Sequence, residues 1–167
     1  MLDNVQHNAP LLTLSGVSKR FGATLALSHV DVAFLPGKAH ALVGENGAGK
    51  STLGKIILGI HQPSEGEIRL EGTPVYLTSP AEALAKGLVG IAQELSLLPE
   101  CSVADNIALG REVARGPFID RRATRAQVLA LMARHDLAME PDKIVGTLPV
   151  AEQQKVEILR ALGREAP

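Results

Sequence analysis

Aromatic residues are nearly absent: three Phe, one Tyr and no Trp make up 2% of 167 residues. A stacking platform for single-stranded nucleic acid has almost nothing to be built from. Charge of one sign is missing too, with 17 basic against 18 acidic side chains and a formal net charge of −1. No electropositive footprint for a phosphate backbone is visible, so nucleic acid is not an expected partner. The one cysteine, Cys101, excludes an internal disulfide framework and fits a reducing compartment. It reads as a small buried hydrophobe rather than a reactive thiol. No stretch approaches the roughly 18 apolar residues that span a bilayer, and the opening MLDNVQHNAP has no basic segment leading into an apolar run. The expectation is a soluble chain that can dock on a membrane component, with 46% hydrophobic residues supporting one domain with a real core.

What is present begins with strands. LLTLSGVSKRF and ALSHVDVAFL both read as β, the second because Val30, Val32 and Phe34 alternate with His29, Asp31 and Ala33. Pro36 and Gly37 make a turn, and Ala39 to Val43 is expected as a short buried strand. From Lys50 a helix is predicted, with Leu53, Ile56, Ile57 and Ile60 on one stripe. QPSEGEIRLEG reads as turn, strand and turn. SPAEALAKG reads as a small helix with Ser79 as N-cap, Pro80 at the first position and Gly87 as the stop. LVGIAQ is expected as another buried strand, ending at Gln93. From Glu94 strand patterns disappear and helices take over: Ser102 to Leu109 with Ser102 and Asp105 as a near capping box, Arg121 to His135 capped by Asp120 and carrying Val128, Leu129, Met132 and Ala133, and about Ala151 to Arg164 with Val156, Leu159 and Leu162 on one face. The expected class is α/β, a nucleotide-binding core with a helical subdomain.

The stretch ALVGENGAGKST carries the chemistry. GENGAGKS satisfies G-x-x-x-x-G-K-[ST] through Gly44, Gly49, Lys50 and Ser51, between a predicted strand and a predicted helix. The backbone of Gly44, Glu45, Asn46, Gly47, Ala48 and Gly49 is expected to fold around a phosphate with its N–H groups pointing inward, and the helix beginning near Lys50 presents its positive dipole end. Lys50 is assigned to the β- and γ-phosphates, and the Ser51 hydroxyl, followed by Thr52, to Mg²⁺. The chain is read as a binder of a nucleoside triphosphate and Mg²⁺, and the resemblance set out next implies ATP.

Many functions share this loop. Through LSGVSKRFGATLALSHVDVAFLPGKAHALVGENGAGKSTLGKIILGI, QPSEGEI, GIAQELSLLPECSVADNIALGRE and EQQKVEILRAL, the chain resembles the ATPase subunits of ABC transporters, of the sugar-importer type. The resemblance implies a P-loop ATPase core with an antiparallel β subdomain over residues 1–93, a helical subdomain over 94–148, and a signature motif with its helix over 149–167. It implies transmembrane permease subunits and a second, head-to-tail ATPase domain as partners, a sugar-binding protein indirectly, and a peripheral place on the cytoplasmic side of the inner membrane. Phe21 falls where the family keeps an aromatic that stacks on adenine; the alternative is an ordinary core phenylalanine. Gln93 matches the glutamine that reaches Mg²⁺ and the attacking water; the alternative is a plain strand-end residue. The helical region matches the part that docks on membrane subunits, or it packs only on itself.

Two departures stand out. In LPVAEQQ, Pro149 replaces the signature serine and Ala151 the glycine, and Pro offers neither a hydroxyl nor an N–H to a phosphate. No adjacent Asp-Glu pair exists anywhere in the chain, although phosphoryl transfer to water normally uses one at the end of an apolar strand. In the family that strand would start just past Pro167, followed by a histidine to which none of the five here corresponds. The expectation is an ATPase domain incomplete at its C-terminal end, unable to hydrolyse ATP alone, with a sheet edge left uncovered. A non-catalytic nucleotide-binding module is the alternative. A soluble ABC protein of translation or DNA repair fits less well for lack of a basic insertion, and GTPases fit worst for lack of an Asn-Lys-x-Asp segment.

Overall fold

The computed structural model describes residues 9–91 and 96–164. They fall into two compact units that meet in sequence at Leu88 and Val89.

The first unit is built on two long strands, β1 (Leu12–Phe21) and β2 (Thr24–Phe34), paired antiparallel across a turn at Gly22. Val30, Val32 and Phe34 are half-buried and Asp31 and Ala33 exposed, as the alternation requires. The helix α1 (Lys50–Ile57) follows, then β3 (Glu65–Leu70), β4 (Thr73–Pro74) and α2 (Pro80–Ala85). The sheet order is β2-β1-β3-β4, antiparallel throughout. Leu14 and Val17 of β1, Leu27 of β2, Leu53 and Ile56 of α1 and Ile68 of β3 bury one face of it. The α2 start is as expected: Ser79 Oγ accepts the Glu82 N–H at 3.2 Å, with Pro80 next.

The second unit holds α3 (Val103–Ala108), a two-residue-strand hairpin β5 (Ala114–Arg115) and β6 (Phe118–Ile119), α4 (Arg121–Arg134), a 3-10 turn at Val145–Thr147 and α5 (Val150–Gly163). Ile107, Val128, Met132, Val156 and Leu159 form its core. Ser102 caps α3 by accepting the Asp105 N–H at 3.1 Å and donates to Asp105 Oδ2 at 2.6 Å. Asp120 caps α4 through the Ala123 N–H at 2.9 Å.

Four expectations are corrected. Ala39 to Val43 and Leu88 to Ile91 are irregular, not buried strands, and Val43 is 93% exposed; an apolar run becomes a strand only beside a hydrogen-bonding partner, and no described strand pairs with either. Strands do not vanish after residue 94, because the Gly116–Pro117 turn closes the small hairpin. On α4 the buried stripe is Thr124, Val128 and Met132, while Leu129 and Ala133 face outward. Ile60 lies beyond α1 and is exposed. Among the described residues no helix is long and apolar enough to cross a membrane.

Candidate nucleotide site

The α1 helix starts at Lys50 because Gly49 turns the chain there. Gly49 is its N-cap at φ 83°, ψ 1°, a left-handed conformation open to glycine. A Cβ at Gly49 would lie 2.5 Å from Ala26 O and Leu27 Cδ2, so the loop sits directly on β2. No side chain caps α1 and no acidic residue occupies its first turn. Its first N–H groups and the positive dipole end are thus free of side-chain acceptors and suited to an anion.

Gly44 through Ala48 are exposed, Gly47 takes φ 87°, and the Ala48 N–H bonds to Glu45 O at 3.1 Å. Lys50 folds back over this loop, its Nζ donating to Gly44 O and Glu45 O, both at 2.7 Å. Ser51 is exposed on the first turn and Thr52 half-buried beside it. The Lys50 ammonium over this loop and the N–H groups at the uncapped start of α1 are the kinds of donor a polyphosphate needs.

Phe21 lies near this cradle along the sheet ladder. Lys19 pairs with Leu27, whose side chain underlies Gly49, and Phe21 pairs with Thr24 at the end of β1. Two residues along a strand span about 7 Å, so the ring stands within a nucleotide's length of the loop. Phe21 is 44% exposed. Its ring meets the His61 imidazole edge to face at 5.1 Å, and Lys19 Nζ stands 5.1 Å over its centroid. Neither Lys19 nor His61 carries a sequence signal for this role, since one is a strand lysine and the other follows a helix.

Gln93 lies outside the described residues. In the second unit, Pro149 is the N-cap of α5 with no side-chain cap, while Glu152 and Gln153 donate their N–H groups to Pro149 O at 2.9 and 3.0 Å. The helix forms in spite of the missing serine. Cys101 is half-buried.

The antiparallel sheet, the glycine-turned loop and the lysine over it define a P-loop nucleoside-triphosphate-binding protein. The family model described as ABC transporter matches residues 27–167, and the chain belongs to that family. It is 45% identical over 157 residues to the ribose import ATP-binding protein RbsA 3 of Rubrobacter xylanophilus, covering 94% of this chain and 32% of that one. It is equally 45% identical, over 159 residues, to RbsA 2 of Streptomyces avermitilis, covering 95% and 32%. The chain thus spans about a third of the length of these relatives. A crystal structure of a nucleotide-free ATP-binding cassette from an ABC transporter superposes with a TM-score of 0.78 at 26% identity, over 93% of this chain and 65% of that one. A crystal structure of the ADP conformation of MJ1267, an ATP-binding cassette of an ABC transporter, gives 0.79 at 26%, with the same coverage.

Proposed function

We propose that the chain is the ATP-binding part of an ABC-type importer for carbohydrates, coupling ATP binding and hydrolysis to transport. The observation that carries this reading is Lys50 held over the exposed loop at the uncapped start of α1. The likeness to ribose import proteins supports the sugar class. Lys50 exchanges its loop carbonyls for the β- and γ-phosphates, the N–H groups from Gly44 to Thr52 take the remaining phosphate oxygens, and Phe21 receives the adenine. Ser51 and Gln93 are the residues assigned to Mg²⁺, which supplies charge neutralisation between the phosphates. Gln93 is also the residue assigned to the attacking water.

Residues 1–93 form the nucleotide-binding core in this reading, 94–148 the helical part that meets permease subunits, and 149–167 the signature segment that faces a second ATPase domain. A sugar-binding protein belongs to the same assembly, which sits on the cytoplasmic side of the inner membrane. ATP binding checks the central assignment. Lys50→Ala is expected to weaken ATP affinity at least tenfold with an unchanged melting temperature, and equal affinity would falsify it.

The second reading is a module that binds ATP without turnover. It is favoured by Pro149 at the α5 N-cap, where no hydroxyl or N–H is available. Turnover in the presence of a complete ATPase partner would exclude this second reading.

A further inference from the structure

The two contacts on Phe21 belong to one small framework that is continuous with the phosphate loop. The α1 helix has Lys50 at its first residue and spans eight residues, about 12 Å. Just past its end the His61 N–H bonds to Lys55 O at 3.2 Å, which fixes the backbone that carries the imidazole. The imidazole meets the Phe21 ring at an interplanar angle of 73°, the edge-to-face arrangement that aromatic quadrupoles favour. The next residue, Gln62, accepts the Lys19 ammonium on its backbone oxygen at 2.6 Å. That bond tethers the cation over one face of the ring. Phe21 is still 44% exposed, so ring surface remains for a ligand.

We propose that His61 is a positioning residue for the nucleotide base. It sets the plane of Phe21 while Lys19 closes one face, so that a purine whose phosphates lie at Lys50 stacks on the other. This rests on the reading of Phe21 as the base platform. The α1 helix joins both halves of the site, with the phosphate-binding lysine at one end and the ring's support just beyond the other. A bland alternative is that His61 only fills space beside β1, and the two differ in what they do to ligands without a base.

The test compares affinities of the full chain for ATP and for inorganic tripolyphosphate. His61→Ala is expected to weaken ATP about three- to tenfold and to leave tripolyphosphate unchanged, with His61→Phe restoring ATP to within about twofold. Lys19→Met gives the same base-selective loss, and Lys50→Ala weakens both ligands. If Phe21→Ala leaves ATP affinity intact, the base platform and this inference fall together. If Phe21→Ala weakens ATP but His61→Ala does not, the platform stands and the positioning role is overturned. Equal weakening of both ligands by His61→Ala also overturns it. Should His61→Ala fail to fold, His61→Gln against His61→Phe decides: the same affinity for ATP in both overturns the role, and a selective loss in His61→Gln supports it.

Discussion

Glu157 on α5 holds Ser96 across 61 positions of sequence: its Oε1 accepts the Ser96 N–H at 2.7 Å and the Ser96 hydroxyl at 3.0 Å. One turn on, Arg160 donates to Ser96 O at 2.9 Å and to its Oγ at 3.3 Å. The α5 helix therefore grips Ser96 from two successive turns. Glu157 is 6% exposed, and Glu157→Ala removes two hydrogen bonds to its carboxylate, which is expected to cost about 1.5–3 kcal/mol in urea unfolding. An unchanged midpoint would remove any structural role for the grip.

Asn106 has no exposed surface, and its amide serves four backbone groups: Oδ1 accepts Leu98 N–H at 2.7 Å while Nδ2 donates to Leu98 O at 2.9 Å, Ser102 O at 3.0 Å and, more weakly, Cys101 O at 3.5 Å. It ties the loop before α3 to the helix itself. Asn106→Leu keeps the volume but leaves the Leu98 N–H unpaired, and is expected to destabilise the protein by about 1–3 kcal/mol by calorimetry.

Gly49 and Gly47 share a positive φ but not their surroundings. Around Gly47 a Cβ meets nothing within 4 Å, whereas at Gly49 it meets Ala26 O at 2.5 Å. Gly47→Ala is therefore expected to cost only the backbone strain of about 1–2 kcal/mol. Gly49→Ala pushes the loop off β2 and abolishes ATP binding at micromolar nucleotide. Equal affinities for the two variants would contradict this.

Arg125 Nη2 lies 2.6 Å from Asp142 Oδ2. The hydrogen bond from Arg125 holds the Asp142 carboxyl below its ordinary range, opposed by desolvation and aided to a lesser degree by the Arg125 charge. A depressed carboxyl stabilises the fold above its unfolded pKa, and that contribution is lost as the pH falls through the folded value. An NMR titration is expected to show Asp142 protonating below the ordinary aspartate range, and Arg125→Met to raise it. The stability difference between wild type and Arg125→Met is present near neutrality and gone in acid.

Pro149→Ser gives α5 a hydroxyl at its N-cap and loses the rigidity of proline. The two effects are each about 0.5–1 kcal/mol and opposed, so the melting temperature is expected to stay nearly constant. With Ala151→Gly added, in a full-length paired ATPase, turnover is expected to rise. Unchanged turnover in that double mutant would refute a phosphate-facing role for this segment.

Local chemistry made the helix starts readable: Ser79, Ser102 and Asp120 all cap as their positions imply, because a cap is decided within four residues. The start of α1 at Lys50 was readable too, although the bonds from its ammonium to Gly44 O and Glu45 O were not. Ala39 to Val43 misled, since hydrophobicity says a segment wants burial and says nothing about which strand will pair with it. Of the supports of Phe21, Lys19 shares its strand face at a spacing of two. His61 reaches the ring only because the chain beyond α1 returns to the end of β1, and no spacing along the chain records that.

Lys50 in this structure is never idle: its ammonium already has two acceptors in Gly44 O and Glu45 O. On the proposed function, nucleotide arrival is consequently a displacement, in which neutral dipoles are traded for anionic oxygens, rather than the filling of a vacant hole. The ammonium has a short path between its two sets of partners, and the loop is held in shape before ligand comes. A weak anion competes poorly for that lysine, while a polyphosphate with several charges succeeds, so the resting contact acts as a threshold on what can enter.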